Sequence, residues 1–161
     1  MRKLFLFVIA LIPMVVTAET LKTPGFWVNY DNNWVVTEFD DPPGYQLSSA
    51  DLETTATFSS LGFPKGKDLS ELADAYLRVR LEAERETLKA SERTATIKES
   101  QKPIQIGYQI EYWGTDSENR NFRYWAVVAD TKIVNIYIES SKQDPAKLEE
   151  IFRFFLSDLK F

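Results

Sequence analysis

The sequence predicts an α+β protein, with an antiparallel β-sheet of about six strands packed between two α-helices as an α/β/α sandwich. The strands are predicted by short segments in which apolar and polar residues alternate, the period of a half-buried strand. The helices are predicted by two longer segments whose apolar residues recur every three or four positions. Polar, turn-forming sequence separates neighbouring strand segments and favours antiparallel pairing.

The chain begins with the features of a cleavable secretory signal peptide in residues 1–18. A basic start precedes an apolar run from Leu4 to Val16, and small residues lead up to Ala18. This run is too short to span a bilayer core of about 30 Å, and no second apolar segment follows. We therefore expect a single mature domain, residues 19–161, in the periplasm, without stable membrane insertion after cleavage.

Short strands are predicted on both sides of the first helix, from their β-branched and aromatic residues. Consecutive prolines at positions 42 and 43 cannot donate hydrogen bonds to a ladder, so they end one of these strands. The segment from Tyr45 to Leu52 is interpreted as a loop or a weak strand. The predicted strands are Phe26–Tyr30, Trp34–Phe39, Thr54–Ser59 and Thr94–Glu99, the last of them an expected edge strand.

A long helix is predicted from Leu69 to about Lys89, with Asp68 as its N-cap. Apolar residues at helical spacing give it one continuous stripe. Arg80 and Glu84 are exceptions, because both project near this stripe, four residues apart. One interpretation is an ion pair at the margin of the stripe; the other is a polar pair lining a groove between the helix and the sheet.

The strongest strand signal, from Ile104 to Ser140, is interpreted as a three-stranded antiparallel meander. Large apolar residues fall on even positions in its first strand, which is predicted to end at Trp113. If the loop that follows holds an even number of residues, Trp113 lies opposite Phe122. This register is expected to collect one apolar face, made of Ile106, Tyr108, Ile110, Trp125, Val127, Val134, Ile136 and Ile138.

The same register is expected to place aromatic and polar residues together on the opposite face. Exposed aromatic side chains with polar handles dominate interface energetics, so this face is the predicted partner-binding surface. The alternative is that the long helix covers this face and makes the aromatic residues part of the core. The residues assigned to partner binding are Gln109, Glu111, Trp113, Tyr124, Tyr137 and Glu139.

A second helix is predicted to close the chain. Asp144 is its expected N-cap, and Pro145 falls in the first turn, where a missing N–H leaves no helical hydrogen bond unmade. The apolar stripe of this helix is Leu148, Ile151, Phe152, Phe155 and Leu159.

Composition excludes several classes of function. After loss of Arg2 and Lys3 the chain has 17 basic and 24 acidic residues, a net charge of −7, which argues against nucleic acid and anionic lipid as partners. An acidic surface fits solubility or attraction to a basic partner. The chain has no His and no Cys, so His-dependent catalysis, cysteine nucleophiles and ordinary zinc sites are excluded. No catalytic, cofactor-binding or metal-binding residue is predicted.

Carboxylate chemistry is the one enzyme class left open. Glu111 and Glu139 are expected on the same face of the meander, and two neighbouring carboxylates in an aromatic cleft is the arrangement used by glycosidases. The alternative is that both are ordinary solvated residues on the wet face of a sheet.

The order of the elements and the closing sequence resemble the PsbP-like family, including the bacterial DcrB-type proteins. The closing pattern is a Tyr-containing strand from Ile136 to Ser140, then Asp144-Pro145, then an apolar stripe from Leu148 to Leu156. The resemblance implies an antiparallel sheet sandwiched between helices and no common enzymatic activity. It also implies roles as extrinsic subunits, adapters or effector-binding chaperones.

The preferred function is therefore a non-enzymatic periplasmic protein-binding module that engages a protein partner in the cell envelope, as an adapter, accessory or chaperone-like subunit. The alternative is an immunity protein that neutralises a bacterial toxin acting in the periplasm, which small size and acidity also suit. The third possibility is a carboxylate-dependent hydrolase that uses Glu111 and Glu139.

Overall fold

The fold is built on a seven-stranded antiparallel sheet in the computed structural model, which describes residues 19–23 and 25–160. Along the chain the elements are β1 (Glu19–Lys22), β2 (Trp27–Tyr30), β3 (Trp34–Asp40), β4 (Pro43–Ser49), β5 (Thr54–Gly62), α1 (Leu69–Ala90), β6 (Ala95–Ile104), β7 (Gly107–Asp116), β8 (Asn121–Ala129), β9 (Lys132–Ser140) and α2 (Pro145–Asp158). The strand order is β3-β4-β5-β9-β8-β7-β6, and β1 and β2 form a separate two-stranded sheet. The predicted signal peptide, residues 1–18, lies outside the described residues.

The predicted class, α+β with an antiparallel sheet and two helices, is confirmed, whereas the predicted sandwich of about six strands is not. The sheet has seven strands, because the predicted loop or weak strand at Tyr45–Leu52 forms the full strand β4. The helices do not form complete layers: α1 packs on β6, β7 and β8, whereas α2 packs mainly on β9 and β2 and reaches β5 and β3 through Phe155. Part of each face of the sheet is therefore free of helix.

Both helices begin where the sequence predicts. The Asp68 carboxylate accepts hydrogen bonds from the backbone N–H groups of Ser70 and Glu71, at 2.8 and 3.1 Å. The Asp144 carboxylate accepts one from the backbone N–H of Lys147, at 2.8 Å. These bonds satisfy donors that the first turn of a helix leaves without an intrahelical partner, which is why such short signals fix the helix starts.

Each face of the sheet has its own core, because β8 and β9 are buried on both sides. Beneath α1 the core contains Ala73, Leu77, Leu81, Ile110, Tyr112, Phe122, Tyr124, Ala126, Val128 and Ile133. On the α2 side it contains Phe26, Val28, Tyr30, Leu47, Ala56, Phe58, Trp125, Val127, Val134, Ile136, Ile138, Leu148, Phe152 and Phe155. Strands buried on both faces carry large apolar residues on both, so their alternation is weak.

The connection between β7 and β8 overturns the predicted register. The last paired residues are Thr115 and Asn121, so the connection has five residues, an odd number. Asp116 fixes this length, because its carboxylate accepts hydrogen bonds from the backbone N–H groups of Glu118 and Arg120, both at 2.9 Å. Asn119 completes the turn with a φ of 65°, a conformation that asparagine tolerates better than most residues.

The prediction that all three strands share one apolar face is therefore wrong. Ile110 lies opposite Ala126 rather than Trp125, and a shift of one residue moves every side chain of β7 to the other face. Ile110 consequently belongs to the core beneath α1, whereas Ile136 belongs to the core on the α2 side. The β8–β9 part of the prediction is confirmed, since Trp125 lies opposite Ile136.

The first strand of the predicted meander also begins and ends later than expected, at Gly107 and Asp116 rather than at Ile104 and Trp113. Ile104 pairs with Gly107, so Gln105 and Ile106 form a tight turn between β6 and β7. Ile106 is 48% exposed at this turn and does not belong to either core. Gly107 has a φ of +148°, a conformation that favours glycine, and this explains why the strand pattern is interrupted here.

Candidate functional site

The six residues predicted to bind a partner do not share a surface. The three from β7 lie on the α2 side of the sheet, and the three from β8 and β9 lie on the α1 side, because of the shift in register. Tyr124 is 0% exposed beneath α1, which fits the alternative that the helix covers the aromatic residues. The α2-side set is Gln109, Glu111 and Trp113; the α1-side set is Tyr124, Tyr137 and Glu139.

Arg80 and Glu84 face the sheet, but neither interpretation of this pair is confirmed. They form no ion pair with each other and line no groove together, because each contacts a different group in the interface beneath α1. The Arg80 guanidinium carbon lies 5.0 Å from the centre of the Tyr124 ring, a cation–π contact. The Glu84 carboxylate, 5% exposed, accepts a hydrogen bond from Arg120 Nη2 at 2.6 Å.

Arg120 is the centre of a cluster that sequence reasoning missed. Its Nε donates to Asp116 Oδ2 at 3.0 Å, and its Nη1 donates to Tyr137 Oη at 2.9 Å and to Glu139 Oε2 at 2.5 Å. Glu84 is the fourth partner of Arg120. We call Arg120 and its four partners, Glu84, Asp116, Tyr137 and Glu139, the Arg120 cluster. The cluster ties α1 to the β7–β8 connection and to β9, so its role is structural.

The charges in the Arg120 cluster stabilise one another. Burial by itself would lower the pKa of Arg120, but Tyr137 and the hydrogen bonds to Glu84, Glu139 and Asp116 outweigh it, so this pKa is raised above its ordinary value. Burial, with the negative charges of Glu139 and Glu84, raises the pKa of Tyr137. The guanidinium and the phenol therefore both stay protonated and act as donors.

Acid is expected to weaken the Arg120 cluster through Asp116. Burial would raise the pKa of this carboxyl, but hydrogen bonds from the Arg120 side chain and from backbone N–H groups outweigh burial and lower it. The stabilisation that follows is fully present above the pKa of the unfolded chain, about 3.9, and is lost as pH falls through the lower folded value. We therefore expect the free energy of unfolding to fall below about pH 4, and to fall less in Asp116→Asn.

Urea denaturation at about pH 6 and about pH 3 measures this effect. The matched control is Asp130→Asn, because the Asp130 side chain is 71% exposed in its ion pair with Lys65. An Asp116→Asn variant whose unfolding free energy changes with pH as much as that of the unsubstituted protein would contradict the assignment.

An open groove on the other side of the sheet is the candidate functional site. It lies where the first turns of α2 approach the helix-free parts of β6 and β7, and it encloses about 390 Å³. Trp113 occupies the β7 side of the groove, next to Lys98 of β6. We call it the Trp113 groove and define it by Thr96, Lys98, Trp113, Arg123, Leu148 and Glu149.

Arg123 holds one wall of the Trp113 groove in place. Its Nη2 donates a hydrogen bond to Glu111 Oε2 at 3.1 Å, and its Nη1 donates one to the Glu149 carboxylate. The guanidinium carbon also lies 5.6 Å from the centre of the Trp113 ring and 4.5 Å from that of Phe152. Two carboxylates on one guanidinium hold this wall in place through Nη1 and Nη2, while Arg123 Nε is buried without a hydrogen-bond partner among the described residues.

Gln109, Glu111 and Trp113 form a row along β7 that leads into the groove. Each of the three pairs with a polar residue of the edge strand β6 and is partly buried. Half of the predicted surface is thus preserved, on the side of the sheet that carries the α2 core. Sequence reasoning missed Arg123, although its charge inside the apolar segment from Phe122 to Ala129 was a signal.

Glu111 and Glu139 cannot act as a catalytic pair, so that prediction is wrong. They lie on opposite faces of the sheet, because Glu111 pairs with Trp125 on the α2 side and Glu139 with Phe122 on the α1 side. Each also forms an ion pair with a different arginine: Glu111 with Arg123, and Glu139 with Arg120. The alternation of residues within each strand could not show that the two glutamates lie on opposite faces. That depends on the register between β7 and β8, and the predicted register differs from the observed one by one residue.

Two further observations concern residues 19–23 and 25–160. Over these residues, no group of three or more acidic side chains is arranged to hold a metal ion. No helix of this part of the chain combines the length and apolar content needed to cross a bilayer.

The fold and the groove define an α+β protein with an antiparallel sheet, two helices and an open aromatic–polar groove at one edge. Its fold is PsbP-like: the solution structure of cyanobacterial PsbP (CyanoP) from Synechocystis sp. PCC 6803 superposes with a TM-score of 0.62, at 9% identity, over 91% of this chain and 93% of that one. This similarity confirms the predicted PsbP-like fold, and at such low identity it shows the fold alone.

A crystal structure of a protein from Bacteroides thetaiotaomicron VPI-5482 is less similar, with a TM-score of 0.45 and 12% identity over 88% of this chain and 47% of that one. No protein-family model matches the sequence, and no curated protein matches it.

Proposed function

We propose that this chain is a non-enzymatic protein-binding module of the periplasm, an adapter or accessory subunit whose partner is a protein of the cell envelope. The observation that carries the proposal is the Trp113 groove, where an aromatic side chain and polar residues of β6 and β7 lie beside the first turns of α2. Aromatic and arginine side chains in such settings contribute most of the binding energy at protein interfaces. The basic start and apolar run in residues 1–18 support export.

Arg123 makes the groove suited to a protein rather than to a small anion. Its guanidinium is already paired with Glu111 and Glu149, so its charge is not available to an anionic ligand. What the groove offers is apolar surface on the partly buried Trp113, together with hydrogen-bonding groups around it. A polar rim around an apolar centre is the usual arrangement of a protein-binding patch.

Replacement of Trp113 tests this proposal. We expect Trp113→Ala to weaken partner binding by roughly thirtyfold, because truncation of a central interface aromatic costs about 2 kcal/mol or more. The measurement is affinity purification from envelope extract with quantitative mass spectrometry, followed by titration of the purified partner. Trp27→Ala is the control, since Trp27 is an accessible tryptophan, 47% exposed, that lies on β2, away from the groove. Partners lost in Trp27→Ala and kept in Trp113→Ala would overturn the assigned surface.

An immunity protein is the second candidate function, favoured by the net charge of −7 after leader cleavage, which suits a basic toxin as partner. The expected result is that deletion of the gene makes cells sensitive to a toxin delivered by sibling cells. Unharmed deletion mutants beside toxin-producing siblings would exclude this function and leave the adapter role standing.

A further inference from the structure

The negative charge of this protein is concentrated in one part of the chain. Residues 19–60 contain seven acidic residues and one lysine, whereas residues 61–161 contain 17 acidic and 16 basic residues. Residues 19–60 form β1 to β4 and most of β5, so the excess of negative charge lies at the β3 end of the seven-stranded sheet. The sheet is therefore electrically asymmetric across its strands.

β3 is an edge strand with an acidic end. Within the described residues it pairs with β4 and with no other strand, so the backbone groups along its outer side are open to another chain. Glu38, Asp40 and Asp41 stand at its C-terminal end, all exposed. None of the three forms a salt bridge with a described residue, which contrasts with the paired acids of the Arg120 cluster.

The two faces of β3 differ. Trp34 and Val36 pack against the core on the α2 side, and the Trp34 ring lies 5.4 Å from that of Phe155, so the strand is firmly anchored. Val35 on the other face is 57% exposed, because α1 packs on β6, β7 and β8 at the far side of the sheet. An anchored strand with one open edge and one open face is a preformed template for strand addition.

A second copy of this chain does not suit the β3 edge. Pairing two copies through β3 would bring Glu38, Asp40 and Asp41 of each close to an equally acidic strand, and like charges on neighbouring strands are destabilising. The same negative charges favour an extended segment that carries positive charge.

We propose that the β3 edge binds an extended basic segment of a partner protein, which adds as an eighth strand beside β3. Main-chain hydrogen bonds to β3 would provide the affinity. Glu38 and Asp40, two residues apart on the strand, project to the same face and would pair with alternate Lys or Arg side chains of the segment. The small side chains between these cations would project to the opposite face, beside Val35. This site is separate from the Trp113 groove, which lies at the opposite end of the sheet.

Fluorescence anisotropy with a labelled peptide of alternating lysine and threonine tests the proposal on the intact chain. We expect the peptide to bind the unsubstituted protein, with affinity that falls as salt rises. The triple variant Glu38→Gln, Asp40→Asn, Asp41→Asn should bind about tenfold more weakly. Its matched control removes three exposed acids from α1 and its C-terminal end, as Glu82→Gln, Glu86→Gln, Glu92→Gln, and should bind as the unsubstituted protein does.

The backbone contribution is tested with the same peptide N-methylated at alternate residues, which keeps its charge and removes half of its N–H donors. We expect this peptide not to bind, and the unmodified peptide to slow hydrogen exchange of β3 amides. The proposal is overturned if no peptide binds, if both triple variants weaken binding equally, or if N-methylation has no effect. Trp113→Ala should leave peptide binding unchanged, so failure at either surface is distinguishable from failure at the other.

Discussion

Arg120→Met is expected to lower the free energy of unfolding by about 3 kcal/mol, the lower end of the range for removing one partner of a buried ion pair. The substitution leaves Glu84, 5% exposed, without its guanidinium partner, and leaves Asp116, 0% exposed, with only the longer contact from Arg93 at 3.4 Å. We take the lower end because Glu139, the third carboxylate, is 34% exposed and partly screened by solvent. Urea denaturation at neutral pH gives the value from the midpoint and slope.

Arg153→Met is the control for Arg120→Met. Arg153 also pairs with a carboxylate, that of Glu149, but its side chain is 76% exposed. Exposed pairs contribute about 1 kcal/mol or less, so the midpoint should move little. If the two substitutions destabilised the protein equally, the Arg120 cluster would not be holding α1 to the sheet.

Gly107→Ala is expected to destabilise the fold by about 3 kcal/mol, from two separate causes. At a φ of +148° any residue with a Cβ is strained. The added Cβ would also lie 2.0 Å from the backbone carbonyl oxygen of Val128, on the neighbouring strand β8, which cannot move without breaking the sheet. The unfolding free energy from urea denaturation measures the sum.

Gly66→Ala separates these two causes. Gly66 has a φ of +87°, but an added Cβ there would meet nothing within 4 Å. It should therefore lose only about 1–2 kcal/mol, from the backbone conformation alone. A loss at Gly66 as large as that at Gly107 would show that contact with Val128 contributes nothing.

Arg120 and Gly107 both lie where the structure differs from what the sequence predicted. The helix starts at Asp68 and Asp144 were predictable because capping is local: a side chain and the backbone two or three residues later decide it. The partners of Arg80 and Glu84 were not predictable, because both contacts join α1 to residues 36 to 44 positions further along the chain.

The candidate site was predictable in part. Trp113, Glu111 and Gln109 follow from the alternation of β7 and do lie together, because residues two apart on a strand always share a face. Their assignment to the same surface as Tyr124 and Tyr137 required the register between strands. That depended on the length of one connection, which Asp116 and Asn119 set by hydrogen bonding and backbone conformation.

The sequence by itself determined the α+β class, both helix starts, the strand-forming segments around them and the pairing of β8 with β9, since each depends on residues close in the chain. Only the tertiary structure decided which face of β7 meets α1, because strand periodicity is two and one residue more or less in a turn exchanges the faces. It also decided where each helix lies on the sheet. The Trp113 groove exists where the first turns of α2 meet β6 and β7, and the edge of β3 is open because no described strand other than β4 pairs with it.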